Sequence, residues 1–540
     1  MKHLSPAAAA QPLWAPALFL LRPFDRAGTG VAAPAIRPGP SGETAPGASR
    51  RLSRHGFPVG VTFAVATGTM LSLAPGLIPR TAAAQAVLTS VLVVTLLGIA
   101  RIIGSQYSRR RRSDPGRRLR RRKSGSRTAG MSAALLTDGS SPAPAEHPIS
   151  GHIDRPGRAP AGGWSGVPAV RHLIFAATAV GVVASVAHAV SWQNALRDAM
   201  GVARTGPEYW SFWAAGSLVL TIVLVAAGSG AGRLLRRVGW FRGVAMAVVT
   251  SLPVAFFGVP GIAAASGSGA DSGLVQPVAT TRSGTADSLV TWNSLGREGQ
   301  RFVTNGPAGA VRVYVGLRSA PDLAARAELA VRELDRAGGF DRSHLVVAVP
   351  TGSGWVDARA LHGFGARFGT DFAVAALQYS HLPSWATFVL GRDSAAASAR
   401  ALFTAVEQHA ATLPDPPRLY LYGQSLGALG GSAVFAGAAD QNRRACSVLW
   451  AGMPGGGGQE PGARTAILAN TSDPVVHWSP DLLWRPPDLT GARRDAPTPG
   501  WLPVVSFVQT TADLLGALSA PPGHGHRYNV DQGTALPGCG

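Results

Sequence analysis

Five apolar runs, residues 59–78, 82–103, 173–190, 210–228 and 243–264, crowd the first half of this chain. Each approaches the ~20 residues a helix needs to cross the hydrocarbon core of a bilayer. In lipid every backbone N–H and C=O must be satisfied within the segment, so such runs have one fold open to them, the spanning helix. The first half is therefore expected to be an α-helical membrane domain of about five transmembrane helices. Only Pro79, Arg80 and Thr81 separate the first two runs, which predicts a tight helical hairpin bent near Pro75 and Pro79.

The chain carries 50 Lys and Arg against 29 Asp and Glu, a net charge of +21, and their placement says more than their total. Arg50, Arg51 and Arg54 precede the first run, a dense cluster at 109–112 and 117–123 follows the second, and Arg233, Arg236, Arg237 and Arg242 lie between the fourth and fifth. If five helices alternate, these three segments share one side. The mixed loop with Arg197, Asp198, Arg204 and Glu208 falls on the other. The positive-inside rule makes the basic side cytoplasmic. A multi-pass protein of the cell membrane is expected, its amino terminus inside and everything after residue 264 outside. A basic cluster can also bind nucleic acid, but one lodged between two membrane-length runs reads as a loop facing anionic lipid. Membrane lipid, and no nucleic acid, is the expected partner. Residues 1–56, rich in Ala, Pro, Gly and Arg, read as a disordered basic region. Residues 57–264 form the membrane domain, 265–295 a flexible linker and 296–540 a second domain. His188, near the end of the third run, reads as an interfacial histidine.

Beyond the linker the pattern changes. Short β-rich apolar runs at 311–317, 345–349, 372–379, 419–422, 448–450 and 466–469 alternate with helical stretches such as 323–336 and 395–412. Continuously apolar strands separated by helices imply a mostly parallel, doubly wound sheet covered on both faces.

Gly423-Gln424-Ser425-Leu426-Gly427 follows one of these strands and precedes a small-residue helix. Strand, sharp turn and helix around Gly-x-Ser-x-Gly lift a strained serine clear of the sheet, and the glycines leave room for the turn. A serine hydroxyl needs a base, and the base needs a carboxylate to hold one tautomer. Asp473 follows the late strand 466–469, and His524 and His526 come near the carboxyl terminus. This is the chain order Ser, acid, His. Spacing does not separate the two histidines; His526 is taken as the base, with His524 beside it. An oxyanion needs backbone N–H donors. The amide of Leu426 is one candidate, and the glycine-rich turn at 350–355, through Thr351 and Gly352, supplies the other. Gln424, beside the serine, is grouped with the substrate-binding residues. Tyr379, His381 and Trp385 follow a strand at the carboxyl edge of the sheet, where they either line an acyl pocket or pack beneath a lid. No cofactor and no metal is implied. Cys446 and Cys539, the only cysteines, form one disulfide or two free thiols.

With these residues assembled, the chain resembles the bacterial α/β-hydrolase family of integral membrane proteins, in which a multi-spanning amino-terminal region precedes a hydrolase domain. The resemblance rests on Leu71-Ser72-Leu73-Ala74-Pro75-Gly76-Leu77-Ile78-Pro79-Arg80, Gly299-Gln300-Arg301-Phe302-Val303, Val349-Pro350-Thr351-Gly352-Ser353-Gly354-Trp355-Val356-Asp357 and Gln378-Tyr379-Ser380-His381-Leu382-Pro383-Ser384-Trp385. The elbow, Ser472-Asp473-Pro474 and Gly523-His524-Gly525-His526-Arg527-Tyr528 complete it. The family's pattern has Glu where this chain has Gln424. The resemblance implies serine-hydrolase machinery and no particular substrate.

The function expected is a membrane-anchored serine hydrolase of esterase or lipase type, acting on lipid or cell-envelope acyl esters through Ser425, His526 and Asp473. The same acyl-enzyme could instead transfer its acyl group to an alcohol. A reading of another class is a transporter or scaffold whose hydrolase-like domain only binds lipid; it requires a missing catalytic residue, and none is missing.

Overall fold

The computed structural model describes residues 59–113, 166–235, 274–382, 387, 392–455 and 462–539. The amino-terminal 56 residues, the basic cluster at 117–123, the fifth apolar run and Trp385 lie outside them.

The first half forms helices α1 (Val59–Ser72), α2 (Ala82–Ser113), α3 (Gly166–Ala199) and α4 (Pro207–Leu235). Three stretches within them, Ala82–Gln106, His172–Ala199 and Pro207–Gly230, are long and apolar enough to cross a membrane. The expected count of about five is therefore not reached among the described residues. The first run departs from expectation for a physical reason. Helix α1 has 14 residues and rises only about 21 Å, because the chain meets Pro75 and Pro79, which cannot continue a helix. Residues 73–81 form a loop instead, with Leu77 and Ile78 fully buried.

Small and hydroxylated residues let these helices approach closely, as in lipid, where packing and polar contacts replace the hydrophobic drive. A Cβ on Gly68 would lie 2.8 Å from the Val93 backbone. Ser72 shares a hydrogen bond with Thr89 (2.8 Å), Trp213 Nε1 donates to Thr89 Oγ1 (2.9 Å), and Ser90 Oγ donates to the Ser217 carbonyl (3.1 Å). The outer faces stay apolar: Leu173, Val180, Val183, Leu218 and Ile222 are exposed.

The second half is built on strands β1 (Val311–Val315), β2 (His344–Val349), β3 (Phe372–Leu377), β4 (Arg418–Gln424), β5 (Ser447–Ala451) and β6 (Thr465–Leu468). They form one parallel sheet in the order β1-β3-β2-β4-β5-β6. Side chains alternate across a strand, and β4 displays both faces. Tyr422 packs on Phe364 of α5 (Ala358–Phe368), whereas a Cβ on Gly423 would strike α6 (Leu426–Ser432). Helices therefore cover both sides, and the inner strand positions are buried throughout.

The linker is shorter than expected. From residue 281 the chain pairs with the open edge of β1: Arg312 N donates to the Thr281 carbonyl (2.9 Å) and Ser283 N to the Arg312 carbonyl (3.0 Å). Ser288 and the Leu289 amide then bond to buried Glu333. A Gly- and Ser-rich segment is ordered here because a free strand edge offers it partners. Cys446 and Cys539 are joined in a disulfide that ties the terminal tail to the start of β5.

Candidate active site

Strand β4 runs straight into Ser425, whose backbone sits at φ 57, ψ −127, a conformation side chains rarely adopt. Such strain costs on the order of 1–3 kcal/mol and persists only where the surroundings enforce it. Here the Ser425 amide donates to the Ala451 carbonyl at the end of β5 (2.8 Å), and its carbonyl accepts from Ala428 N (3.0 Å). The flanking glycines are steric necessities. A Cβ on Gly423 would collide with the Gly427 carbonyl, and one on Gly427 with the Val349 carbonyl. Ser425 thus sits at the start of α6, where the Leu426 amide is one of the unpaired donors every helix start leaves.

Beyond β6 the chain turns through residues 470–473 into a single helical turn, α7 (Pro474–His477), capped by Asp473. One carboxylate oxygen of Asp473 accepts from Val475 N (2.8 Å); the other accepts from His526 Nδ1 and from the Tyr528 hydroxyl, each at 2.7 Å. Burial pushes this carboxyl up, but the His526 charge and the bonds from His526, Tyr528 and Val475 outweigh it and hold Asp473 below the usual carboxylate range. With Nδ1–H given to Asp473, His526 presents Nε2 as the acceptor. That atom is buried and has no hydrogen-bond partner among the described residues. The ring packs on Gly452, the residue after the Ala451 that holds Ser425. A Cβ there would lie 2.6 Å from His526 Cε1.

His524 goes elsewhere. Its Nδ1 lies 3.2 Å from Asp495 Oδ2, and Asp495 also accepts from the Ser472 amide and hydroxyl. Ser472 Oγ in turn accepts from Gly525 N (2.8 Å). Asn470 donates to the Gly525 carbonyl, and Arg493 bridges Asn470 to the Gly523 carbonyl. The loop bearing Asp473 and the loop bearing His526 are therefore stitched together just ahead of the pair.

The glycine-rich turn after β2 corrects one expectation. The Thr351 amide is committed to the Trp355 carbonyl (2.9 Å), so it is not free to receive an oxyanion. Its hydroxyl pairs with Ser353. Gly352 lies in the same turn, its carbonyl accepting from Thr387. Tyr379 is a packing residue: it is buried in the core cluster and its hydroxyl donates to the Pro350 carbonyl (2.9 Å), bracing this turn. Gln424 is buried, with Oε1 3.5 Å from the Tyr422 hydroxyl and Nε2 unpartnered among the described residues. His381 is exposed. A cavity of about 200 Å³ lined by Leu77, His477, Leu482, Trp501 and Gln509 touches neither Ser425 nor His526, and so is not the reacting centre.

A family model described as alpha/beta-hydrolase family matches residues 311–459 and 457–536, and one described as its N-terminus matches residues 154–307. The chain belongs to this α/β-hydrolase family. No curated protein and no solved structure matches it.

Within this α/β-hydrolase, sequence reasoning missed Tyr528, Gly452, Asp495, Asn470 and Arg493. Tyr528 and Gly452 touch the Asp473–His526 pair directly. A tyrosine two residues after a histidine, or a glycine after a strand, has no signature of its own. Only the convergence of three distant segments gives these residues a role.

Proposed function

We propose that this α/β-hydrolase is a membrane-anchored serine hydrolase of esterase or lipase type, acting on lipid or cell-envelope acyl esters outside the cytoplasmic membrane. The observation that carries the reading is the Asp473–His526 hydrogen bond, whose imidazole, with Nε2 unpartnered among the described residues, packs on Gly452, next to the Ala451 that accepts the amide of the strained Ser425. Ser425 Oγ attacks the ester carbonyl carbon while His526 Nε2 takes its proton. The oxyanion is received by the amides of Leu426 and Gly352. As the carbonyl re-forms, the C–O bond to the alcohol breaks and His526 returns the proton to the leaving oxygen. Water, deprotonated by the same nitrogen, then attacks the acyl carbon; the C–O bond to Ser425 breaks, His526 returns the proton to Oγ, and the acid leaves.

Two features favour a membrane-borne substrate. Helices α2, α3 and α4 contain membrane-length apolar stretches. On the hydrolase side, Trp484, Leu502, Val504, Leu515 and Leu518 are exposed in segments that flank the loop at 73–81. The Cys446–Cys539 bond favours an oxidising compartment for this domain.

Membranes carrying the wild-type chain should take a fluorophosphonate label, and the Ser425→Ala variant should take none while inserting normally. Equal labelling of both would refute the nucleophile assignment. For the topology, a reporter active only in the cytoplasm should be silent when fused after Gly540; an active fusion would reverse the sidedness.

A further inference from the structure

The loop at 73–81 does more than connect two helices. Asp513, at the end of α8 (Val505–Leu514), is fully buried, and each of its oxygens is held by that loop. Oδ1 accepts from Arg80 Nε and Oδ2 from the Leu77 amide, both at 2.7 Å. Arg80 Nη2 donates to the Gln509 carbonyl (3.1 Å), and Gln509 returns a bond to the Leu71 carbonyl (2.6 Å). The membrane helices hold Arg80 from behind. Gln193 accepts its amide, Arg197 donates to its carbonyl, and Trp192 donates to the Gly76 carbonyl. There is no slack: a Cβ on Gly76 would lie 2.7 Å from both Arg80 Nη2 and Asp513 Oδ2.

Two paths lead from this clasp to His526. The turn after Asp513 is closed by Gly516 N on the Asp513 carbonyl (2.9 Å), and the next residue, Ala517, accepts the His526 amide (3.3 Å). Separately, Ile78 packs with Leu196, Met200 and Ala520. A Cβ on Gly525, the neighbour of His526, would lie 3.5 Å from Ile78 Cγ2.

We propose that Arg80 and Asp513 are positioning residues through which the membrane domain holds the His526 loop in register with Asp473 and Ser425. The inference rests on the serine-hydrolase reading. A buried ion pair contributes little net stability compared with apolar packing, but it is directional. Here it fixes a carboxylate from two sides, four residues before the carbonyl that receives the His526 amide. The hydrolase domain is then incomplete without the membrane helices: the active centre is set by a contact between segments more than 400 residues apart, 433 for Arg80 and Asp513.

The test uses the full chain in nanodiscs, with Asp513→Asn, which keeps the shape, and Gly76→Ala, which keeps every charge but wedges the clasp. Three quantities are read: the fluorophosphonate labelling rate, kcat and KM on a soluble nitrophenyl ester, and the low-field proton resonance of the His526–Asp473 hydrogen bond. A displacement of the base by about 1 Å should lower labelling and kcat roughly 100-fold. KM should stay within about twofold, because ground-state binding is untouched. The low-field proton should weaken in both variants, and added guanidinium should restore activity to Arg80→Ala. Variants that retain the disulfide and the wild-type helix content, yet label at the wild-type rate with an unchanged proton signal, would overturn the proposal. If the wild type takes no label, the hydrolase reading fails by itself. The proton signal then decides: its loss in Asp513→Asn supports the positioning role and its persistence overturns it.

Discussion

His526 Nδ1 stands 2.7 Å from Asp473 Oδ2, while His524, two residues earlier, meets Asp495 instead. The two histidines differ in burial as well as partner, with side chains 5% and 23% exposed respectively. On the proposed serine-hydrolase reading, His526→Ala should therefore lower turnover of an acyl ester about 10⁴-fold, since members of a catalytic triad act as a unit. His524→Ala should cost less than about tenfold, acting only through the anchoring of its loop. Equal losses in steady-state assays of the two variants would remove the distinction.

Tyr528 donates to the same oxygen of Asp473 that holds His526, and this bond helps keep the carboxyl low. Tyr528→Phe removes a donor from a buried carboxylate, a loss of about 1–3 kcal/mol. The direction with pH follows. Asp473 must be ionised to orient His526, and without Tyr528 its carboxyl moves up toward the ordinary value. The titration of the Asp473 carboxyl, followed by its side-chain carbon-13 resonance, should thus shift to higher pH, and a titration superimposable on the wild type would contradict this.

Gly452 has φ 57, and a Cβ there would lie 2.7 Å from His526 Nδ1 and 2.8 Å from Tyr528 Cε2. Gly452→Ala should displace the imidazole and lower kcat roughly 100-fold, with the chain still inserted and its disulfide formed. Wild-type turnover in that variant would show that the ring does not rest on this backbone.

His477 is buried, its Nε2 2.9 Å from the Thr471 carbonyl, and burial pushes its imidazole below the ordinary 6.5. The unfolded chain therefore binds a proton that the folded chain resists. The stability His477 protects is fully present above about pH 6.5 and is lost as pH falls through the lower folded value. Melting temperatures followed downward from neutral pH should fall more steeply for the wild type than for His477→Gln. Parallel curves would sink the assignment.

Much of the architecture was legible because it is local. Membrane-length apolar runs, β-rich strands and the glycines around Ser425 act through hydrogen bonds and sterics within a few residues. The strand positions, the parallel sheet and the elbow follow from those alone. The end of α1 was misjudged because hydropathy reads Leu77 and Ile78 as lipid-facing, and they are buried in a loop that faces the hydrolase domain. The linker was drawn too long because its composition is silent about the open edge of β1 that captures it.

By itself, then, the sequence determined a first half with helices of membrane length, a parallel sheet, and a serine on a strained turn with an acid and two histidines in order behind it. Tertiary structure alone decided which histidine meets Asp473, that the Thr351 amide is spent on Trp355, and that Arg80 reaches Asp513. Each of these is a hydrogen bond between segments far apart in the chain. Composition and periodicity report what a residue prefers to be near, and only the packed fold brings one particular donor within 3 Å of one particular acceptor.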